Sequence, residues 1–209
     1  MRVFLMPLGF HEDILLRAMM RLRVHREDLV YVVTCSPLVG AVKRALESLR
    51  ALCLKQGIPE PVLLEVECRD FYESVRRVKS TISQHGDAEL VLCSGSGLRI
   101  LLHILEVAVL ASRRPFTLHY EPEAEGVDPV TIPSTLYANI LESPSRLEEE
   151  VLRVLVENKE ISVKDLALKL KVKEKTVRNV ITRLKNRGLV VKTGKGKVSA
   201  TQVALVLYA

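Results

Sequence analysis

Short apolar runs alternate with amphipathic helical segments through the first 120 residues. Strands that are apolar on both faces and alternate with helices are typical of a parallel sheet covered on both sides. Crossovers between such strands are right-handed, so the pattern predicts an α/β, Rossmann-like domain with a mainly parallel sheet over residues 1–122. The predicted strands lie at residues 2–8, 29–34, 62–66, 90–93 and 116–120, with a sixth at 130–132.

Helices are predicted between these strands. The first covers residues 12–23 and repeats its apolar positions at helical spacing. Ser36 is expected to cap the second, with Pro37 at its first position. Asp70 is expected to cap the third. The fourth follows the glycine-containing segment after the fourth strand and ends near Ser112.

From Ser145 onward the pattern changes to short helices followed by a hairpin. Ser145 with Glu148, and Ser162 with Asp165, have the spacing of a capping box. A third helix is predicted from Glu174 to Arg187, and a glycine-rich hairpin follows it. Two helices joined by a short turn and followed by a hairpin predict a winged helix-turn-helix over residues 145–209. Residues 123–144, with three prolines, are expected to form a linker.

Positive charge is concentrated in the C-terminal part of the chain. Residues 145–209 hold 15 Lys and Arg against 7 Asp and Glu, whereas residues 1–144 hold 16 against 18. A basic module on a near-neutral body implies a polyanionic partner for that module only. Charge by itself also fits RNA or an anionic membrane.

The third helix of this module has an apolar face, which leaves its polar side chains directed outward. Arg can read guanine and Asn can read adenine when they lie in the major groove, and a lysine-tipped hairpin can contact phosphates. We therefore predict double-stranded DNA as the partner; the alternative is a winged helix used for protein contacts, with lysines as solvated charge. The predicted DNA-binding residues are Lys173, Lys175, Thr176, Arg178, Asn179, Thr182, Arg183, Asn186, Lys192, Lys195 and Lys197.

Cysteine and histidine positions suggest neither a disulfide framework nor a metal site. The four cysteines are scattered without a C-x-x-C pair, and each lies in or beside an apolar segment, so reduced, buried thiols are expected. The longest apolar stretch, residues 98–111, contains charged residues, and residues 1–10 lack the features of a signal peptide. We expect a cytoplasmic protein without a membrane partner, a metal or a cofactor.

The segment from Ser94 to Arg99 joins a buried strand to a helix and suggests an anion site. Backbone N–H groups at a helix N-terminus favour phosphate, and Arg99 can add a bidentate contact. A dinucleotide fingerprint is not present, because Ile100 replaces the third glycine. A purely structural turn is the alternative. Arg17, at helix spacing after Phe10, is interpreted as a surface cation rather than a ligand contact.

Three segments together resemble a known family. They are Pro7-Leu8-Gly9-Phe10 after the first strand, S-G-S-G-L-R at residues 94–99, and R-L-K-N-R-G-L-V at residues 183–190. The chain resembles the winged-helix regulators of archaeal CRISPR loci that carry a CARF domain, the CRISPR-associated Rossmann fold. The resemblance implies a homodimer that binds a cyclic oligoadenylate of the tetra-adenylate type across its two-fold axis. The ligand-binding residues it implies are Leu8, Gly9, Phe10, Ser94, Gly95, Ser96, Gly97 and Arg99.

These observations favour a CRISPR-associated transcriptional regulator, and two alternatives stay open. Some CARF domains cleave the ring nucleotide that they bind, but no Ser/His/Asp or Cys/His set is visible by spacing, so no catalytic residue is predicted and we expect no enzyme. The second alternative is a protein-interaction adaptor in an interference complex.

Overall fold

The computed structural model describes residues 1–124 and 126–208 and divides the chain into two compact units, Met1–Ser134 and Thr135–Ala209. The predicted α/β class with a C-terminal winged helix-turn-helix is confirmed. The segment expected to be a linker contains a strand and a helix, and the division between the units falls within it. No helix in the described part of the chain is long and apolar enough to cross a membrane.

The first unit is a six-stranded sheet with helices on both faces. Five strands are parallel, and the last pairs antiparallel at the edge. The strands are β1 (Arg2–Pro7), β2 (Leu29–Cys35), β3 (Val62–Val66), β4 (Glu89–Ser94), β5 (Phe116–Tyr120) and β6 (Val130–Pro133), in the order β3-β2-β1-β4-β5-β6. The helices are α1 (Asp13–Arg21), α2 (Gly40–Gln56), α3 (Phe71–Ser83) and α4 (Arg99–Ala111).

The central strand β1 is buried on both faces, as the continuous apolar run predicts. Phe4 and Met6 pack in the cluster formed with α1 and α2. Val3 and Leu5 are equally buried and point to the opposite face, because side chains alternate along a strand. The strand order reverses between β1 and β4. Ligands of open α/β sheets bind in the crevice beyond the carboxyl ends of the strands at such a switch point.

The start of α2 differs from the prediction. The helix begins at Gly40 rather than at Pro37, and its N-cap residue is Val39, which provides no side-chain cap. The Ser36 N–H donates to the carbonyl oxygen of Val66 at 2.8 Å, so the sheet pairing of β2 with β3 continues one residue past the strand. That pairing keeps the chain extended at Ser36 and makes residues 36–39 a loop, which we call the β2–α2 loop.

The expectation of four reduced thiols is wrong for one pair. Cys35 and Cys68 form a disulfide, with their Cα atoms 5.3 Å apart. Parallel pairing sets Cys35 opposite Val66, two residues before Cys68, and this proximity cannot be read from the sequence spacing. Cys53 and Cys93 are free and buried, as expected. Burial raises the pKa of the Cys53 thiol to about 11 and also raises the pKa of Cys93.

The second unit is a small helical domain with a three-stranded antiparallel sheet in the order β7-β9-β8. Both predicted capping positions are confirmed, because the Ser145–Glu148 box is complete and Ser162 Oγ accepts from the Asp165 N–H at 3.1 Å. Helices α5 and α9 and strand β7 were not predicted. Its elements are α5 (Ser134–Leu141), α6 (Arg146–Glu157), β7 (Ile161–Ser162), α7 (Val163–Leu170), α8 (Glu174–Asn186), β8 (Val190–Gly194), β9 (Lys197–Ala200) and α9 (Gln202–Tyr208).

Candidate ligand pocket and candidate nucleic-acid interface

A cavity of about 230 Å³ lies at the carboxyl ends of the central strands, at the point where the strand order reverses. We call it the ligand pocket. Five of the eight predicted ligand residues line it: Leu8, Gly9, Phe10, Ser96 and Gly97. Sequence reasoning missed its other lining residues, since they come from other segments of the fold. These are His11, Ile14, Thr34, Cys35, Pro37, Val39, Val42, Leu98, Leu101 and Glu123.

Two loops meet at the pocket and are held together by Ser96. Its Oγ accepts a hydrogen bond from the Gly9 N–H at 3.2 Å and donates to the carbonyl oxygen of His11 at 3.3 Å. The loops approach so closely that a Cβ atom on Gly9 would lie 2.8 Å from the nitrogen of Gly97. The Ser96 hydroxyl therefore binds the protein's own backbone.

The remaining three predicted ligand residues lie outside the lining of the pocket. Ser94 is the buried last residue of β4, and its carbonyl oxygen accepts from the Glu121 N–H at 2.8 Å. Gly95 has a φ of +143°, and a Cβ atom there would overlap the carbonyl oxygen of Glu121. Arg99 is the exposed first residue of α4. Glycine at position 95 is thus required by contact with the chain itself.

Glu121 is a buried carboxylate at the centre of a polar cluster beside the loop of residues 94–97, which follows β4. Arg21 Nε lies 3.1 Å from its Oε1, and His119 Nε2 lies 3.1 Å from its Oε2. Arg17 Nε lies 3.9 Å from Oε1, while its terminal nitrogen donates to the carbonyl oxygen of Pro122 at 2.9 Å. Arg17 is therefore a partly exposed cation but not a free one, because its side chain joins α1 to the segment after β5.

The ligand pocket combines mostly apolar walls with the N-terminus of a helix. Most of its walls are apolar, and Phe10 and Leu98 are exposed at its rim. The first turn of α4 follows Leu98, and the N–H groups of a first helical turn favour negative charge. Among the described lining residues, no nucleophile is hydrogen-bonded to a general base; Ser96 Oγ bonds only to backbone. Residues 1–124 and 126–208 contain no cluster of three potential metal ligands.

The predicted DNA-binding residues are all exposed on α8, on the turn before it, or on the β8–β9 hairpin, which we call the wing. Val177, Val180, Ile181 and Leu184 are buried and fix the inner face of α8. With 3.6 residues per turn, the side chains directly opposite that face are Lys175, Asn179, Thr182 and Asn186.

Arg178 lies on the side of α8 that faces the wing. It forms an ion pair with Glu174, one turn earlier on the same helix. Together with Thr182 it lines a cleft of about 490 Å³ between α8 and the wing, which we call the α8–wing cleft. Three lysines of the wing also line it: Lys192, Lys195 and Lys197. The cleft therefore concentrates four cations beside the exposed face of α8.

Glu160 orients the wing. Its carboxylate accepts from Lys197 Nζ at 2.8 Å and from the hydroxyl of Thr193 on the other strand of the hairpin. The hydrogen bond and charge of Lys197 lower the pKa of Glu160, and Glu160 in turn raises the pKa of Lys197. One of the three wing lysines is thus paired within the protein.

Arg183 lies on the flank of α8 nearer to α6 and pairs with Glu148. The Arg183 Nε lies 3.0 Å from Glu148 Oε1, and Arg187 approaches the other oxygen at 3.9 Å. Burial opposes ionisation of Glu148, but hydrogen bonds from Ser145 and Arg183 outweigh it and lower its pKa. Sequence reasoning placed Glu148 only in the capping box, since its pairing with α8 depends on tertiary structure.

These features define a two-domain protein in which a Rossmann-like domain precedes a winged helix-turn-helix domain. Residues 2–133 match the family described as the Csa3 CRISPR-associated Rossmann-like domain, and residues 148–197 match a helix-turn-helix domain family. The chain belongs to the Csa3 CRISPR-associated family. The resemblance to CARF–winged-helix proteins is thereby confirmed.

Among curated proteins, the chain is 28% identical to "CRISPR locus-related putative DNA-binding protein Csa3" of Saccharolobus solfataricus, over 98% of this chain and 86% of that protein. Two solved structures are each 11% identical to this chain. Protein VC1899 of Vibrio cholerae gives a TM-score of 0.45 over 99% of this chain and 64% of that one. Can2 of Sulfobacillus thermosulfidooxidans, in complex with cyclic tetra-adenylate, gives a TM-score of 0.44 over 100% of this chain and 63% of that one. The chain thus spans less than two thirds of both structures.

Proposed function

We propose that this protein is a CRISPR-associated transcriptional regulator that binds duplex DNA through α8 and the wing. The observation that carries the proposal is the cationic surface of the second unit, where the outer face of α8 lies beside the α8–wing cleft. A recognition helix enters the major groove, and a basic hairpin beside it contacts the flanking backbone. Amide and hydroxyl groups at the centre of the helix face support base readout rather than phosphate contact alone.

The ligand pocket is proposed to bind a cyclic oligoadenylate of the tetra-adenylate type. Support comes from membership of a CRISPR-associated Rossmann-like family and from the position of the pocket at the switch point of the sheet. In this proposal Phe10 and Leu98 contact a base, and the first turn of α4 faces a phosphate, with Arg99 as a further contact. Ser94, Gly95 and Ser96 shape the loop.

The protein is proposed to act as a homodimer. A ring with two-fold symmetry suits a two-fold axis, and the exposed apolar side chains at the pocket rim, Phe10 and Leu98, would be covered by a second copy. Such a dimer presents two recognition helices to half-sites about 34 Å apart, or a multiple of that spacing. Size-exclusion chromatography with light scattering tests this point; a monomer at micromolar concentration in both the absence and presence of the ring contradicts it.

The DNA proposal is tested with the double variant Lys175→Ala, Asn179→Ala. Both side chains lie opposite the buried face of α8 and form no hydrogen bond or ion pair with another described residue, so folding is expected to be retained. Fluorescence anisotropy with a promoter duplex from CRISPR-associated genes is expected to show a loss of affinity of about tenfold or more, by the usual cost of base and phosphate contacts.

The matched control is Arg153→Ala, which removes an exposed cation from α6, where it pairs with Glu149. This control is expected to bind the promoter like the parent protein. Equal affinity of the double variant and the parent would show that α8 does not read DNA. Equal affinity for promoter and scrambled duplexes at all salt concentrations would favour the protein-adaptor alternative.

The ligand proposal is tested by calorimetry with cyclic oligoadenylates of several ring sizes, with and without promoter DNA. One ring size is expected to bind, and Phe10→Ala is expected to weaken that binding because it removes the exposed aromatic side chain at the rim. A change in ligand affinity when DNA is present measures the coupling between the two sites. No binding heat for any ring size would overturn this part of the proposal.

A further inference from the structure

The Cys35–Cys68 disulfide lies at the edge of the ligand pocket and joins two structurally different segments. Cys35 is the last residue of β2 and lines the pocket, while Cys68 lies two residues beyond β3. Both residues are partly exposed. A reductant therefore has access to the bond from solvent, in contrast to the buried thiols of Cys53 and Cys93.

The segment that carries Cys68 is firmly held. The carbonyl oxygen of Glu67 accepts from the Asp70 N–H at 2.9 Å and from Ser74 Oγ at 2.7 Å. Asp70 in turn caps α3 by accepting from the Glu73 N–H at 3.0 Å. Cys68 is thus part of a rigid turn at the start of α3 and can act as an anchor.

The segment that carries Cys35 is fixed by sheet pairing up to Ser36 and is held less firmly beyond that residue. It continues into the β2–α2 loop, whose Pro37 and Val39 form one wall of the pocket. Val39 gives α2 no side-chain cap, and the Ser36 N–H donates a hydrogen bond to Val66 that joins the start of this loop to β3. The disulfide adds a covalent bond between the rigid turn and this wall.

We propose that Cys35–Cys68 is a reversible thiol–disulfide exchange site that sets the rigidity of the pocket wall, and through it the affinity of the pocket. The substrate class is a dithiol, either small or protein-borne. When the disulfide is intact, the wall is preorganised; when it is reduced, ordering of residues 36–39 must accompany binding and weakens it. The effect on ligand affinity rests on the function proposed above, but the effect on the wall does not.

The exchange proceeds in two balanced steps. A thiolate of the dithiol attacks one sulfur of the pair, so the Cys35–Cys68 bond breaks, a mixed disulfide forms and the released cysteine takes up a proton. The second thiolate of the dithiol then displaces the remaining cysteine and closes the reagent's own disulfide. Two electrons and two protons pass from the dithiol to the protein, and a disulfide oxidant reverses the reaction.

The test compares the oxidised full-length chain with the same chain treated with dithiothreitol and with the variant Cys35→Ser, Cys68→Ser. Hydrogen exchange read by mass spectrometry is the first readout and needs no ligand. The amide of Ser36 and the amides of residues 38–39 are expected to exchange at least about threefold faster in the reduced chain and in the variant. The control Cys53→Ala retains the disulfide and is expected to respond to dithiothreitol like the parent.

The second readout is titration with cyclic tetra-adenylate, for which the reduced chain and the double variant are expected to bind at least about threefold more weakly. If the ligand binds neither form while the loop amides respond to reduction, the proposed ligand is wrong and the exchange site stands. If the loop amides exchange equally in all three proteins, or if alkylation and mass analysis show the pair inert to dithiothreitol in the native fold, the exchange site is overturned.

Discussion

Ser96 and Gly9 are 87 residues apart in the chain and are joined by a hydrogen bond of 3.2 Å from the Gly9 N–H to the Ser96 Oγ. This contact closes the two loops that follow β1 and β4, the strands between which the sheet order reverses. The pocket exists because two loops leave the sheet there and meet. Only a residue without a Cβ atom at position 9 lets their backbones approach so closely.

Gly9→Ala is expected to destabilise the first unit and deform the pocket. The new Cβ would meet backbone atoms of Gly97, at 2.8 and 2.9 Å, which cannot move aside as a flexible side chain can. Overpacking of this kind costs about 1–3 kcal/mol of unfolding free energy. Chemical denaturation of the full chain followed by far-UV circular dichroism measures the loss.

Gly40→Ala is the matched control for this prediction. Gly40 is the first residue of α2 in the same unit, and the nearest atom to a Cβ there is the end of Arg44 at 3.7 Å. Alanine favours helix over glycine, so the unfolding free energy is expected to stay the same or rise by up to about 1 kcal/mol. Equal stability of Gly9→Ala and Gly40→Ala would show that the two loops separate readily.

The fold could be predicted because its determinants are local. The apolar run in β1 and the Ser145–Glu148 capping box are encoded in neighbouring residues, so periodicity and cap chemistry suffice to place them. Helix α9 was missed because it has only seven residues, although Thr201 precedes it and the Thr201 Oγ1 accepts from the Ala204 N–H at 3.4 Å. The start of α2 was misplaced because Ser36 prefers pairing with β3 to capping a helix.

The candidate sites were less predictable because they depend on contacts between distant segments. The Cys35–Cys68 disulfide follows from the register of two parallel strands, and no sequence spacing encodes that register. The pairing of Glu148 with Arg183 requires α6 to pack against α8. The outward face of α8, in contrast, follows from helical periodicity alone, and its exposure agrees with the prediction residue by residue.

Glu148→Gln is expected to destabilise the second unit at neutral pH but not in acid. Glutamine keeps the capping geometry and loses the charge that pairs with Arg183. The folded state lowers the pKa of Glu148 below its ordinary value of 4.5. The carboxylate's contribution is therefore complete above that value and is lost as the pH falls through the lower folded pKa.

The expected difference in unfolding free energy between parent and Glu148→Gln is about 1 kcal/mol at pH 7, since Arg183 is largely exposed and solvent screens the pair. Urea titrations at pH 7 and pH 3 measure whether the difference shrinks in acid. Glu150→Gln removes a carboxylate whose partner Arg146 is fully solvated, and its effect is expected to be within a few tenths of a kcal/mol. A difference for Glu148→Gln that is constant with pH would contradict the electrostatic account.

The wing lysines are expected to differ in how their loss affects DNA binding. Lys195 lies exposed in the turn of the wing and pairs with no carboxylate among the described residues, so Lys195→Ala is expected to remove one phosphate contact. Affinity for promoter and scrambled duplexes is expected to fall by the same factor, and the slope of log affinity against log salt is expected to decrease by about 0.9.

Lys197→Ala is expected to weaken binding more than Lys195→Ala. Lys197 neutralises Glu160 at 2.8 Å, so its removal both deletes a cation and leaves a carboxylate unpaired beside the DNA backbone. The further substitution Glu160→Gln in the Lys197→Ala background should recover the part of the loss that comes from repulsion. Anisotropy titrations at several salt concentrations separate the loss of the cation from the repulsion by the unpaired carboxylate, with Arg153→Ala as the charge-matched control. Identical salt slopes for the parent and both lysine variants would place the wing away from the phosphates.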